Sequence, residues 1–216
     1  MTPRMRRIRI KGPALTSVPG QQVRVWVTDP RDPHNWVRPM DFLRTYSIWR
    51  QDDGLDLCVF DHGGDGPGER WARTLSVGDP VKFGRPEGSF TLHSENTYHV
   101  FAGEETAAVA FGAMLRALPS DVPAYGVIEV DEPADQLPLD REFQWLYRHG
   151  RPAASSETLV NGLAELPLPS QAGIAYLAGE ARTIQMLRHH LVSERGWPRR
   201  SVRTKPFWAP GKRGLD

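Results

Sequence analysis

The polar residues best placed to do chemistry stand in the run Arg44-Thr45-Tyr46-Ser47, where the period of two of an extended strand sends Arg44 and Tyr46 to one face and Thr45 and Ser47 to the other. One face then offers a planar cation beside a phenol. That pair suits a flat, phosphate-bearing cofactor, because a guanidinium grips a phosphate as a fork and an aromatic ring covers a heterocycle. From these four residues alone, an ordinary barrel strand whose arginine covers the rim is the more usual reading. A second candidate is His62-Gly63-Gly64-Asp65-Gly66-Pro67-Gly68-Glu69-Arg70-Trp71-Ala72, a strand end followed by a glycine-rich loop and a helical turn. Glycines let successive backbone N–H groups converge on an anion, and a helix start adds partial positive charge. The loop has neither the lysine of a P-loop nor the spacing of the dinucleotide fingerprint, so a plain hairpin loop stays open beside a phosphate cradle.

Two further junctions, Gly103-Glu104-Glu105-Thr106 and Ala178-Gly179-Glu180, each end an apolar strand ahead of a helix. Such junctions put backbone donors at the carboxyl edge of a parallel sheet, the usual ligand crevice of an open α/β fold. Glu104, Glu105 and Glu180 serve equally well as capping charges, and as such would repel a phosphate. Basic residues crowd the end of the chain: Arg195, Arg199, Arg200, Arg203, Lys205, Lys212 and Arg213 follow one another with no acid before Asp216. They read either as a solvated tail or as a rim that draws in an anionic ligand, with Phe207 and Trp208 packing on that ligand or closing the core. His189 and His190 are neighbours on a helix, about 100° apart, and cannot chelate one metal together. No metal site is expected, and no paired carboxylates or catalytic triad stand out.

The elements that must position these groups change in kind along the chain. Residues 1–93 read as β structure, with Ile8 and Ile10 and then Val23, Val25 and Val27 alternating with polar residues, and short runs at Leu43–Arg50, Leu55–Asp61 and Pro80–Phe83. Many short strands at close spacing predict an antiparallel barrel. Residues 94–216 alternate strands (Tyr98–Ala102, Tyr125–Val130, Phe143–Arg148, Ile174–Ala178) with helices (Ala107–Leu118, Ser155–Leu166 and one through Ile184, Leu187 and Leu191 to Gly196). That order predicts a mostly parallel α/β domain carrying a basic C-terminal tail.

Composition narrows the setting. The 216 residues hold 27 basic and 26 acidic side chains, a net charge of +1, so net charge gives no reason to expect nucleic acid. A single cysteine, Cys58, excludes an internal disulfide framework and cysteine-ligated zinc or iron–sulfur centres within this chain. No apolar run approaches the roughly 18 residues of a membrane span, and no apolar stretch follows the basic start Arg4–Lys11 as in a signal peptide. The expectation is a monomeric cytoplasmic protein with no membrane insertion.

Taken in order, RTYS, HGGDGPGERWA, GDPVKFGRPEGSF, GEETA, WLYR, AGEARTIQMLRHHL and a late FW resemble the siderophore-interacting proteins, flavin-dependent ferric-siderophore reductases of the ferredoxin reductase superfamily. The resemblance implies an FAD-binding barrel over residues 1–93 and an α/β domain over 94–216 that receives electrons from NADPH or NADH, or from a ferredoxin, for a ferric siderophore substrate. By the same resemblance Arg44 contacts the flavin pyrophosphate, Tyr46 packs on the flavin ring, Ser47 lies near its N5 and Thr45 completes the run. His62, Gly64, Gly66, Trp71 and Ala72 belong to the pyrophosphate cradle. Gly103, Glu105, Thr106, Ala178, Gly179 and Glu180 face the nicotinamide nucleotide or the flavin edge, and Lys205, Trp208, Lys212 and Arg213 face the siderophore. Members usually carry a small hydroxyl residue where Glu69 stands, an aspartate where Glu104 stands, and a further strand ahead of the segment matching Met1–Ile10. The barrel is therefore expected to have an open edge. Two other activities fit the same residues: a siderophore-binding protein that holds flavin poorly, and a general flavin reductase.

Overall fold

The structure, a computed structural model, describes residues 1–12, 15–28, 42–93 and 98–212. Arg213 lies outside the described residues. The chain divides into two compact units, Met1–Thr91 and Leu92–Asp216.

In the first unit four antiparallel strands, β1 (Met5–Ile10), β2 (Gln22–Trp26), β3 (Leu43–Gln51) and β4 (Leu55–Phe60), form a sheet in the order β1-β4-β3-β2. The alternation read from Ile8, Ile10, Val23 and Val25 turns these side chains inward, where they meet Ile48, Leu57, Val59 and Ala72 in one core. On the other face of β1, Arg7 and Arg9 converge on Asp56 of β4, with Nε of each within 2.9 Å of a carboxylate oxygen. Burial pushes the Asp56 carboxyl up, but the hydrogen bonds and charge of the two guanidiniums outweigh it and hold the group below its ordinary range. No pairing joins β1 to β2 among the described residues. The strand expected at Pro80–Phe83 is absent. Only single bridges tie that region to β2, Val25 to Phe83 and Gln22 to Glu87, because Pro80 and Pro86 remove ladder donors on either side. Helix α1 (Pro67–Thr74) follows β4 after the glycine-rich loop, with Pro67 at its first position, where a missing N–H costs nothing.

The second unit is a five-stranded, wholly parallel sheet in the order β7-β6-β5-β8-β9. Its elements are β5 (His99–Glu104), α2 (Glu105–Ala117), β6 (Ala124–Val130), β7 (Gln144–Tyr147), α3 (Glu157–Glu165), β8 (Ile174–Glu180), α4 (Ala181–His189) and β9 (Val202–Trp208). The central strands β5 and β8 are buried along their whole length, as a sheet covered on both faces requires. The order reverses between them, so their carboxyl ends frame the crevice from which α2 and α4 start. Strand β9 corrects the expectation of a basic tail through Val202–Trp208. Its cations sit on an edge strand, where charge blocks further pairing and also conceals the β pattern.

Gly103 and Ala178 are register partners of β5 and β8. A Cβ on Gly103 would collide with the Ala178 carbonyl oxygen and lie 2.7 Å from Ala107 Cβ, so the glycine is what lets α2 and β8 close on β5. Gly103→Ala is expected to cost about 1–3 kcal/mol through overpacking and to lower the unfolding temperature by several degrees. Thermal unfolding followed by circular dichroism checks it.

Candidate functional site

In the first unit the candidate site is built by β3, the β4–α1 loop and the first turn of α1. Arg44 and Tyr46 share a face of β3, and both meet Gly68: a Cβ there would lie 2.5 Å from the Tyr46 hydroxyl and 3.3 Å from Arg44 Cγ. Tyr46 stacks on Trp71 with ring centroids 5.8 Å apart. Burial raises the Tyr46 pKa, with Glu69 adding to the rise and Arg44 opposing it, so the phenol stays protonated. Thr45 points away to solvent, Ser47 pairs across to Gln22 of β2, and Ala72 is buried in the core.

The glycine-rich loop is tied down by its own charges. Asp61 accepts from the Arg73 guanidinium at 2.7 and 2.9 Å and from Gly63 N–H, which holds its carboxyl well below the usual range. Arg73 also donates to the Gly64 carbonyl, and Arg70 donates to Asp65. Glu69 turns back onto the loop: Oε2 accepts from Gly66 N–H at 2.8 Å and Oε1 from His62 N–H at 3.3 Å. The N–H groups of Gly68 and Glu69, second and third in α1, have no intrahelical acceptor.

In the second unit the carboxyl end of the sheet gathers buried charge. Arg148 forks onto Glu105 with contacts of 2.5 and 2.7 Å, and its Nη1 lies 3.7 Å from Glu129 Oε2. Ser156, the N-cap of α3, donates to Glu129 Oε1 at 2.6 Å and accepts from Leu159 N–H. Glu104 caps α2 through Thr106 N–H and accepts the Trp208 indole N–H at 3.0 Å; Glu180 caps α4 through the N–H groups of Arg182 and Thr183. The two caps titrate in opposite directions. Burial and the neighbouring Glu105 charge push Glu104 up to about 7, whereas backbone donors from Arg182, Thr183 and Ser155 outweigh burial at Glu180 and hold it low.

The structure therefore brings Arg44, Tyr46 and Trp71 to the start of α1, and Glu105, Thr106, Ala178, Gly179 and Glu180 to one sheet edge. Gly179 has φ +123° with Glu104 pressed against it, a conformation that favours glycine. Glu105 is committed to Arg148, and Lys205 is a β9 residue paired with Ala178, while Lys212 is exposed beyond the strand. Arg148, Glu129 and Ser156 went unnoticed as a group because their sequence separations hide a contact made only across three elements. Among the described residues no group of three or more His, Cys, Asp or Glu is placed to hold a metal ion, and no helix is long and apolar enough to cross a membrane.

The sequence profile of the siderophore-interacting protein family matches residues 96–211, and that of the siderophore-interacting FAD-binding domain matches residues 1–90. The chain belongs to the siderophore-interacting protein family. Its relatives include the ferric vibriobactin reductase ViuB of Vibrio cholerae, 28% identical over 186 residues that cover 82% of this chain and 68% of ViuB. A siderophore utilization protein from T. fusca shares the structure with a TM-score of 0.83 at 28% identity, over 100% of this chain and 90% of the other. Phthalate dioxygenase reductase superposes with a TM-score of 0.70 at 17% identity, over 98% of this chain and 66% of the other, so this siderophore-interacting protein shares the ferredoxin-reductase-like fold. The residues of the first unit fit FAD in their donor chemistry: a guanidinium, a protonated phenol, and a helix start whose Gly68 lets Arg44 and Tyr46 close on it.

The raised pKa of Glu104 makes a pH prediction. Because its folded value lies above the ordinary 4.5, the contribution to stability is complete below pH 4.5, falls as pH rises, and is lost above about 7. Glu104→Gln keeps an acceptor for Trp208 without the charge, and its loss of the second acceptor is the same at every pH. The stability of wild type relative to this variant should therefore fall by roughly 3 kcal/mol between pH 4.5 and 7. His99, buried with its pKa pushed down to about 4, pulls the opposite way in both proteins and cancels from the comparison. Denaturant unfolding of both proteins at pH 4.5, 6 and 8 checks the difference.

Proposed function

We propose that this siderophore-interacting protein is an FAD-dependent reductase of ferric siderophores that releases iron as Fe(II) in the cytoplasm, with NADPH or NADH, or a ferredoxin, as the electron source. What carries the proposal is the meeting of Arg44 and Tyr46 with Gly68 at the first turn of α1, inside the stretch that matches an FAD-binding domain. Its relative ViuB, named as a ferric vibriobactin reductase, supports the choice of substrate class.

FAD, when bound, supplies the conversion of a two-electron donor into single electrons that an iron centre can accept. The chain's residues bind and orient. Arg44 neutralises phosphate charge by a charge-assisted bond, the N–H groups of Gly68 and Glu69 add donors that need no reorganisation, and the Tyr46 hydroxyl remains a neutral donor because burial opposes its ionisation. Lys205 and Lys212 contribute cations toward an anionic ferric chelate, and the exposed position of Lys212 suits early encounter. Reduction alone loosens the iron, since hard oxygen donors hold Fe(II) far less tightly than Fe(III). No residue has to transfer a proton to the chelate.

The purified chain incubated with FAD should show flavin absorption that bleaches on addition of NADPH or NADH and returns when a ferric siderophore is added, with colour developing in an iron(II)-specific chelator. Flavin that is reduced but never reoxidised by the siderophore would remove the substrate assignment. Arg44→Ala should weaken FAD binding by about one to two decades, equivalent to roughly 1.5–3 kcal/mol. Fluorescence titration measures that loss, and an unchanged affinity would displace the phosphate contact from Arg44.

A further inference from the structure

We propose that Glu69 is an internal anion that competes with the phosphates of FAD for the glycine-rich loop, so that this protein holds FAD as an exchangeable ligand. The proposal rests on the flavin reading above and concerns the same site. Its ground is where the Glu69 carboxylate sits. Both oxygens are tucked into the bend of the loop: a Cβ on Gly66 would lie 2.6 Å from Oε2, and one on Gly64 would lie 3.3 and 3.4 Å from the two oxygens. The bend accommodates them because both positions lack a side chain. The carboxylate takes the N–H groups of Gly66 and His62, at 2.8 and 3.3 Å, one on each oxygen, as backbone donors take the separate oxygens of a bound anion.

No direct ion pair places it: Arg73 feels the Glu69 charge only at a distance. Arg73 is engaged by Asp61 and Arg70 by Asp65, while no ion pair claims Glu69 among the described residues. The half-buried carboxylate is held by backbone N–H groups and by the positive end of α1. A phosphate arriving at α1 meets a negative charge within the first turn and must either accept that repulsion or displace the side chain, giving up its two hydrogen bonds. Gly68 and Glu69 N–H remain as donors, so binding is weakened and not abolished. Affinity for a ligand whose competent site is only partly available falls in proportion to that availability. The ring of the flavin is not involved, so the handicap applies to phosphate-bearing flavins alone.

Fluorescence titration of wild type, Glu69→Gln and Glu69→Ser with FAD, FMN and riboflavin tests this. Glu69→Gln keeps a cap for Gly66 N–H and guards against loss of folding. Asp65→Asn removes the same charge from the same loop without vacating the bend. Wild type should bind FAD no more than a few-fold better than riboflavin. Glu69→Ser should tighten FAD at least tenfold, Glu69→Gln by an intermediate factor, and neither should change riboflavin by more than twofold. Rapid gel filtration should then strip FAD from wild type and leave it on Glu69→Ser. An unchanged or weaker FAD affinity in both Glu69 variants overturns the proposal, as does an Asp65→Asn gain equal to that of Glu69→Gln. Failure of every protein, variants included, to bind any flavin would overturn the reductase reading instead, and the competition with it.

Discussion

An α-helix that begins at the end of a strand leaves its first N–H groups without partners, and those groups together carry partial positive charge. In this protein the chain itself supplies the anion at three of the four α-helices among the described residues: Glu69 at α1, Glu104 at α2 and Glu180 at α4, with the neutral Ser156 at α3. This choice shapes the rest. Helix starts at a glycine-rich loop or at the carboxyl edge of a parallel sheet are where a nucleotide fold ordinarily receives phosphate, and here a carboxylate of the chain already stands at α1, α2 and α4. Under the proposal for Glu69, phosphate binding at α1 is a contest between a tethered carboxylate and a free phosphate.

The second unit shows what such an arrangement costs. Glu104, Glu105, Glu129 and Glu180 are all buried, and the first three lie within the field of one guanidinium, that of Arg148. One cation cannot neutralise three carboxylates, so the remainder must be met by hydrogen bonds or by protons. Glu105 takes the fork of Arg148, Glu180 is satisfied by backbone donors, and Glu104, with fewer donors and a charged neighbour, is pushed toward protonation. Such a network ties together the ends of β5, β6 and β8 and the starts of α2, α3 and α4, so breaking one bond loosens several elements at once.

Much of the architecture was legible because periodicity and punctuation agree. Two-residue alternation marks β1 and β2, the helical spacing of Ala108, Phe111 and Leu115 marks α2, and the glycines at 103 and 179 mark strand ends pressed against other backbone. Legibility failed where local chemistry is ambiguous. Lys205 and its basic neighbours look like a tail because solvated charge and an edge strand share the same residue types. Pro80–Phe83 looks like a strand because a short apolar run says nothing of whether a ladder partner can reach it. The face shared by Arg44 and Tyr46 followed from strand period alone, but the inward turn of Glu69 did not, since a side chain of that length can reach either solvent or the loop.

The absence of a recognisable acid–base constellation also has a physical reason under the proposed activity. Electron transfer to an iron chelate asks the protein for distance, orientation and a surrounding field, and none of these needs a nucleophile or a tuned proton donor. Carboxylates are then free to be spent on helix starts, where they rigidify the frame and raise the threshold for phosphate entry. A hydrolase could not place a buried glutamate near pH 7 beside its ligand crevice without consequence for its chemistry. In this fold the same group can serve as a cap joined to Trp208, and its titration reports on the frame that holds the site.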